Sequence, residues 1–338
     1  MVLFLAFASL IAAVVPMFTY LLIIWYLDRY EREPFWFVLL NFFWGATGAI
    51  FLGIIGSIIF QIPLNEVINA VADDNTSELM NLSGAVITAP LVEEFTKGIF
   101  LVIISMSKKF DGGVDGAVLG GAIGLGFGMT ENFMYFLSFG TTPESWFMLV
   151  IIRTLFSAVM HCLSTATFGA FLGYAKFKPL IYKIILIPMG FFLAVFLHFA
   201  WNFAVSFKET SIFGFLLLIM YLFVTFAIFQ ISVYFEGKTI LKELQDESNL
   251  GLIPPEHLDH LPYVTRRFKY GWCPQGIDQK NYVKTVTILA LRKNQYRNTK
   301  GNMQTSYLRD IENLRYQVQM MYYNANVAYH KNKSVQSL

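Results

Sequence analysis

The chain has 338 residues, 56% of them hydrophobic and only 14% charged, with a formal net charge of +2. Together with a positive mean hydropathy, that balance excludes an ordinary soluble domain, in which charged residues make up about a quarter. It also excludes a disulfide-built module: Cys162 lies in an apolar run and Cys273 near the other end of the chain, so they read as two separate thiols. No nucleotide fingerprint or metal-finger spacing occurs.

Seven apolar runs are long enough to cross a hydrocarbon core of about 30 Å, which takes about 20 residues. They cover 3–27, 34–62, 82–106, 116–139, 146–175, 179–204 and 210–235. The first lacks a basic leader and holds Pro16 in mid-run, so it reads as a retained helix rather than a signal peptide. Between the second and third runs, Asn65, Glu66, Asp73, Asp74, Asn75 and Glu78 surround Val67, Ile68 and Val71. That segment reads as a short interfacial helix with a solvated acidic face.

The third run carries Glu93-Glu94-Phe-Thr-Lys97, with both carboxylates one turn from the ammonium. Pro90 removes a backbone donor just before them and frees a carbonyl. One carboxylate suffices for an ion pair that locks helices; the second is left over as a candidate base. In the fourth run Gly112, Gly116, Gly120, Gly124 and Gly128 recur every fourth residue, and the row ends at Asn132, beside Glu131. Small residues at that spacing predict a close helix crossing. Gly45, Ala49, Gly53 and Gly56 offer a second small face in the second run.

The fifth run holds Arg153, Ser157, His161, Thr165 and Gly169 in one row, and the sixth places His198 one turn before Asn202. Ionisable groups at membrane depth cost a few kcal/mol each and mark functional interiors. Two histidines facing glutamates on other helices can bind zinc as Glu131, His161 and His198 with an open water position. The same groups can also act without metal, with a glutamate activating water and His and Asn donating to an oxyanion.

Beyond Gly237 the composition changes, giving a membrane core at 1–236 and a basic tail at 237–338. Lys242, Glu243, Asp246 and Glu247 read as a fraying helix end, and the prolines and glycines of 251–280 predict irregular chain. Residues 281–297 and 303–325 predict a helical hairpin around 298–302, with Tyr307, Ile311, Leu314, Val318 and Met321 as a core stripe. His257, Asp259 and His260 read as solvated. The basic excess at Arg266, Arg267, Lys269, Arg292, Lys293, Arg297 and Lys300 suits an anionic inner leaflet, and nothing beyond charge points to nucleic acid.

Basic residues cluster in alternate loops: Arg29 and Arg32, then Lys108 and Lys109, Lys176, Lys178 and Lys183, and Lys238 and Lys242. Loops 63–81 and 140–145 contain none, and 205–209 only Lys208. The positive-inside rule then predicts an outer N-terminus and an inner C-terminus. The fold expected is an all-α polytopic helix bundle with a small helical cytoplasmic tail.

The ordered set Glu93-Glu94-x-x-Lys97, Phe127-x-x-x-Glu131-Asn132, His161-x-x-x-Thr165-x-x-x-Gly169 and His198-x-x-Trp201-Asn202 resembles the PrsW family of bacterial intramembrane proteases. It is similar also to the wider clan that includes the CAAX prenyl endopeptidases. The resemblance covers roughly 85–205 and implies hydrolysis of a peptide bond in a membrane-anchored protein, in some members an anti-sigma factor. It further implies that Glu93 or Glu94 activates water and that Glu131, His161 and His198 complete the centre, with Lys97, Asn132 and Asn202 beside them. A proton-coupled transporter would use similar residues, but no internal repeat relates the two halves. An inactive scaffold would not need all four motifs.

Overall fold

The computed structural model describes residues 2–28, 30–72, 76–207 and 209–336. Expectations resting on Arg29, Asp73, Asp74, Asn75 and Lys208 lie outside the described residues. Nine long helices occur among them: α1 Val2–Leu27, α2 Phe35–Val71, α3 76–105, α4 Gly113–Phe139, α5 Pro143–Lys176, α6 Leu180–Ser206, α7 Ser211–Asn249, α8 Gln279–Asn298 and α9 Asn302–Gln336. No strand occurs among the described residues. The helices α1, α2, α4, α5, α6 and α7 are each long and apolar enough to cross a membrane. The expected third span, α3, is outside that set and is the helix that carries Glu93, Glu94 and Lys97.

The second run does not stop at Pro63 but continues as helix to Val71. Gln61 ties this stretch to α3: its amide nitrogen donates to Asn65 Oδ1, Ser83 Oγ and the Met80 carbonyl, and its oxygen accepts from Thr88. Glu66 and Glu78 are exposed, as a solvated face requires.

The chain divides into two compact units, Met1–Asp28 with Glu33–Gln230, and Arg29–Arg32 with Ile231–Leu338. In the first, α4 is the central helix, with 83% of its most apolar stretch buried against 22% for α1. The glycine row explains how. Gly116, Gly120 and Gly124 lie so close to the carbonyls of Gly169, Thr165 and His161 on α5 that any side chain would collide. On the opposite face Gly126 meets the Phe42 carbonyl and Gly45 of α2 meets the Ile123 carbonyl. Two backbones thus approach α4 from either side, and apolar side chains such as Met17, Leu21, Phe42, Leu119 and Ile123 fill the remaining interior.

Three helices contain a π-helical turn: 44–49 in α2, 84–88 in α3 and 153–157 in α5. Such turns leave backbone carbonyls short of donors, and side chains from neighbouring helices supply them. Thr130 donates to the Ala46 carbonyl, Thr96 to Ala49 and Asn202 to Ala85. In the 84–88 turn the backbone bonds run five residues back, as from Ala89 to Gly84. Pro90 therefore leaves Ala85 without its partner, and the Asn202 amide takes that place at 2.8 Å.

The second unit has its own core, including Tyr30, Ile240, Leu244, Tyr282, Val286 and Val318. Its structure corrects several expectations. The end of α7 does not fray: Glu243 and Glu247 are buried, with Lys293 Nζ 2.8 Å from Glu247 and Arg297 Nε 3.2 Å from Glu243. Arg315 grips Glu247 through two bonds of 2.6 and 2.9 Å. The helix then closes on Gly251 at φ 73°, where the Leu252 amide reaches the Glu247 carbonyl and the Gly251 amide that of Ser248. Lys293 and Arg267 are buried, and Arg292 and Arg297 form ion pairs, so those cations serve the fold. His257 is not solvated either; its Nδ1 lies 2.9 Å from the Tyr282 hydroxyl, which accepts from Tyr322.

Two outcomes follow from this packing. Gly120→Leu should destabilise the protein by about 1–3 kcal/mol or more, whereas Gly112→Ala, with nothing within 4 Å of the new methyl, should be close to neutral. Thermal unfolding in detergent distinguishes them. Burial lowers the His257 pKa below its ordinary 6.5, with Glu256 opposing and His260 reinforcing the shift. The unfolded chain therefore takes up the proton first, so this contribution is present above pH 6.5 and is lost as pH falls below it. The protection factors of the α8 amides, that is exchange corrected for its intrinsic pH dependence, should fall on acidification in the native chain, and His257→Gln should flatten that dependence.

Candidate active site

Four helices bring the polar groups together: α3 supplies Glu93, Glu94 and Lys97, α4 Glu131 and Asn132, α5 Arg153, His161 and Thr165, and α6 His198. The glycine seam sets their spacing, because Gly120 and Gly124 seat α5 at Thr165 and His161 directly.

Lys97 has no exposed side-chain surface, and its ammonium lies 2.8 Å from Glu94 Oε1, 3.1 Å from His161 Nδ1 and 3.8 Å from Glu93 Oε2. The Phe127 ring covers it at 4.0 Å. Glu94 is fully committed: Oε1 also meets His198 Nδ1 at 3.0 Å, and Oε2 accepts from Thr165 Oγ1 at 2.9 Å. Glu131 binds His161 Nε2 at 2.6 Å and Arg153 Nη2 at 2.8 Å. Arg153 in turn donates from Nε to Asn132 Oδ1 at 3.0 Å and lies over the Tyr135 ring.

Glu93 differs. Its side chain keeps 16% of its surface exposed, and its buried Oε2 accepts no hydrogen bond. That oxygen lies 3.8 Å from His198 Nε2. The network assigns the ring protons: Nδ1 of His198 donates to Glu94 and Nε2 of His161 donates to Glu131. His198 Nε2 keeps a free lone pair, whereas that of His161 Nδ1 accepts from the Lys97 ammonium at 3.1 Å.

Glu93, His161 and His198 each offer a ligand atom within 4.8 Å of the others. Two imidazoles and a carboxylate form the donor set of a catalytic zinc with an open water position. Each imidazole is also braced by a carboxylate on its other nitrogen, the arrangement that orients metal-bound histidines. The chain's residues therefore fit a metal. The carboxylate that joins the two imidazoles is Glu93, whereas Glu131, expected from sequence in that place, lies behind His161 and pairs with Arg153.

A cavity of about 200 Å³ reaches this centre, lined by Glu131, His161, Arg153, Tyr135, Asn202 and Ser206 among others. Glu94 and Lys97 are sealed from it, as their burial shows. Asn132 and Asn202 engage Arg153 and the Ala85 carbonyl. Sequence reasoning saw Arg153 and Thr165 only as members of a polar row; the row itself was their signal, since it delivers Arg153 to Glu131, His161 to Lys97 and Thr165 to Glu94.

A family model described as PrsW family intramembrane metalloprotease matches residues 33–229, more than half of the chain. Protease PrsW of Geobacillus kaustophilus (strain HTA426) is 30% identical over 203 residues, covering 60% of this chain and 81% of that protein. Protease PrsW of Oceanobacillus iheyensis is 26% identical over 179 residues, covering 53% of this chain and 74% of that protein. No solved structure matches significantly.

The contacts separate the two adjacent glutamates. Removing the charge of Glu94 strands a buried ammonium, which typically costs about 3–5 kcal/mol, so Glu94→Gln should lower the unfolding temperature strongly. Glu93→Gln, at an oxygen with no hydrogen bond, should change it little. Calorimetry of both variants in detergent checks the difference.

Proposed function

We propose a chemistry from one premise: the chain belongs to the PrsW family of intramembrane metalloproteases, peptide hydrolases that are multi-pass proteins of the cell membrane. The substrate we assign is a membrane-anchored protein, of the anti-sigma-factor kind that the sequence resemblance implies. The observation that carries the reading is the unsatisfied Glu93 oxygen, 3.8 Å from His198 Nε2 and clustered with the His161 ring.

In this reading Glu93 is the carboxylate at the reacting water. It accepts a proton as the water oxygen bonds to the scissile carbonyl carbon. It returns that proton to the amide nitrogen as the C–N bond breaks. Lys97, 3.8 Å away, places a positive charge beside the carboxylate. Glu94 and Glu131 hold the two imidazoles in one tautomer each, and Arg153 anchors Glu131. Where a metal is held, Glu93 would instead be a ligand beside His161 and His198, and zinc there would supply a Lewis acid and lower the pKa of its water; the base role of Glu93 belongs to the metal-free form. A glutamate-only variant of the reading rests on Lys97, whose ammonium already places a positive charge beside Glu93 and His161.

Glu93→Gln should abolish cleavage of a membrane-anchored reporter in a protein that remains folded; normal turnover in that variant would sink the assignment. Purified protein should hold about one zinc and lose activity to chelators. Full activity in protein that elemental analysis finds free of metal would assign the step to Glu93 and Lys97.

For topology we propose seven spans, counting α3, with the N-terminus outside. The cavity is lined by Tyr135, Arg153 and Ser206, which lie toward the helix ends that lead to loops 140–142 and 207–210. At about 1.5 Å per residue, Glu131 and His198 each lie roughly 12 Å from those ends. Water and substrate then enter from the extracytoplasmic side. Cysteines introduced by Ser206→Cys or Ser138→Cys should react with a membrane-impermeant thiol reagent added to intact cells. Labelling confined to inverted membranes would overturn this access route.

A further inference from the structure

The second unit carries a segment, 263–271, whose surface chemistry the proteolytic site does not use. Tyr263, Phe268 and Tyr270 are 43%, 59% and 102% exposed, and Arg266 and Lys269 are exposed between them. No acidic residue occurs from 260 to 277. A flexible loop would fold such rings inward, but this one is fastened from below. Arg267 is 1% exposed and bonds to Thr287, with its guanidinium 4.9 Å from the centre of the Tyr30 ring. The Gln279 amide donates to the carbonyls of Arg267 and Lys269 at 3.1 and 2.9 Å. The buried arginine and the glutamine thus hold the backbone so that its neighbours point out.

The level of the loop is also set. Pro262, at its base, accepts from the Tyr30 hydroxyl at 2.8 Å, and its carbonyl lies against Gly237 of α7. Gly237 follows directly on the apolar run of that helix, where Phe235 gives way to Glu236 and Lys238. On a spanning helix this is the step from hydrocarbon to headgroups. Exposed Tyr and Phe rings with Arg and Lys, at that depth and without acids, have the chemistry of a lipid headgroup layer.

We infer that loop 263–271 is a membrane-interface anchor that seats its aromatic rings among anionic phospholipid headgroups. Arg266 and Lys269 read the negative charge, and Phe268 and Tyr270 enter the boundary with the acyl chains. The exposed cations of this loop, rather than the basic excess of the whole tail, make the lipid contact.

The test uses the full chain with Cys273→Ser and a nitroxide attached through Tyr270→Cys, reconstituted in phosphatidylcholine vesicles with or without phosphatidylglycerol. The expected result is a label that collides several-fold more with dissolved oxygen than with a water-soluble nickel chelate, relative to the same label attached through Lys300→Cys. Phosphatidylglycerol should deepen it, and Arg266→Glu with Lys269→Glu should remove that dependence while leaving the unfolding temperature unchanged. A label as aqueous at 270 as at 300 in both vesicle types would overturn the inference. So would spin–spin broadening that grows with protein density, which would assign the loop to a second copy of the chain. Peptidase activity plays no part in either readout.

Discussion

The ammonium of Lys97 has no water around it, and the membrane bundle is organised by that fact. A lone buried charge costs several kcal/mol, so every group near it is placed to answer it. Glu94, one turn away, takes the ion pair, and through its oxygens it fixes His198 and Thr165. His161 accepts from the ammonium on Nδ1 and donates its Nε2–H to Glu131, which holds Arg153 and, through it, Asn132. Three carboxylates face two cations, and Glu93 is the one held least closely, 3.8 Å from the ammonium. The Glu93 oxygen that accepts no hydrogen bond is thus what this network leaves over.

Such a network demands short distances between four helices, and side chains of ordinary size would hold them apart. The α4 glycines remove that obstacle on the faces where α2 and α5 lie, letting carbonyl oxygens approach where a methyl group would otherwise stand. Close packing alone would leave the helices regular, with polar groups at fixed angular steps. The π-helical turns at 44–49, 84–88 and 153–157 reset those angles ahead of the functional residues. The carbonyls they expose draw donors from Thr96, Thr130 and Asn202, so the same polar residues that surround the site also repair the backbone that shapes it.

The second unit solves a different problem with similar groups. Its acidic residues on α7 are buried against Lys293, Arg297 and Arg315, so charges that look solvated in sequence become cross-links between helices. His257 joins a hydrogen-bond chain with Tyr282 and Tyr322 in an aromatic core rather than standing in water. Other cations of this unit, Arg266 and Lys269 among them, stay exposed.

The sequence by itself determined the class of fold and which polar residues gather in the membrane interior. Long apolar runs force helices in lipid, and ionisable residues inside them must converge, since isolation in hydrocarbon is too costly. Row periodicity also identified the α4 seam, because glycine every fourth residue has one geometric consequence in a helix. Tertiary structure alone decided how the roles divide. Glu93 and Glu94 are adjacent and chemically identical, and only the positions of Thr165 and His198 on other helices commit one and leave the other open. The exchange of Glu131 for Glu93 beside the imidazoles depends on Arg153, whose reach across from α5 no local pattern specifies. Helical periodicity encodes which face a residue occupies. Which of two carboxylates on converging faces meets a cation first depends on crossing angles and π-turns, and those are fixed by packing between segments distant in the chain.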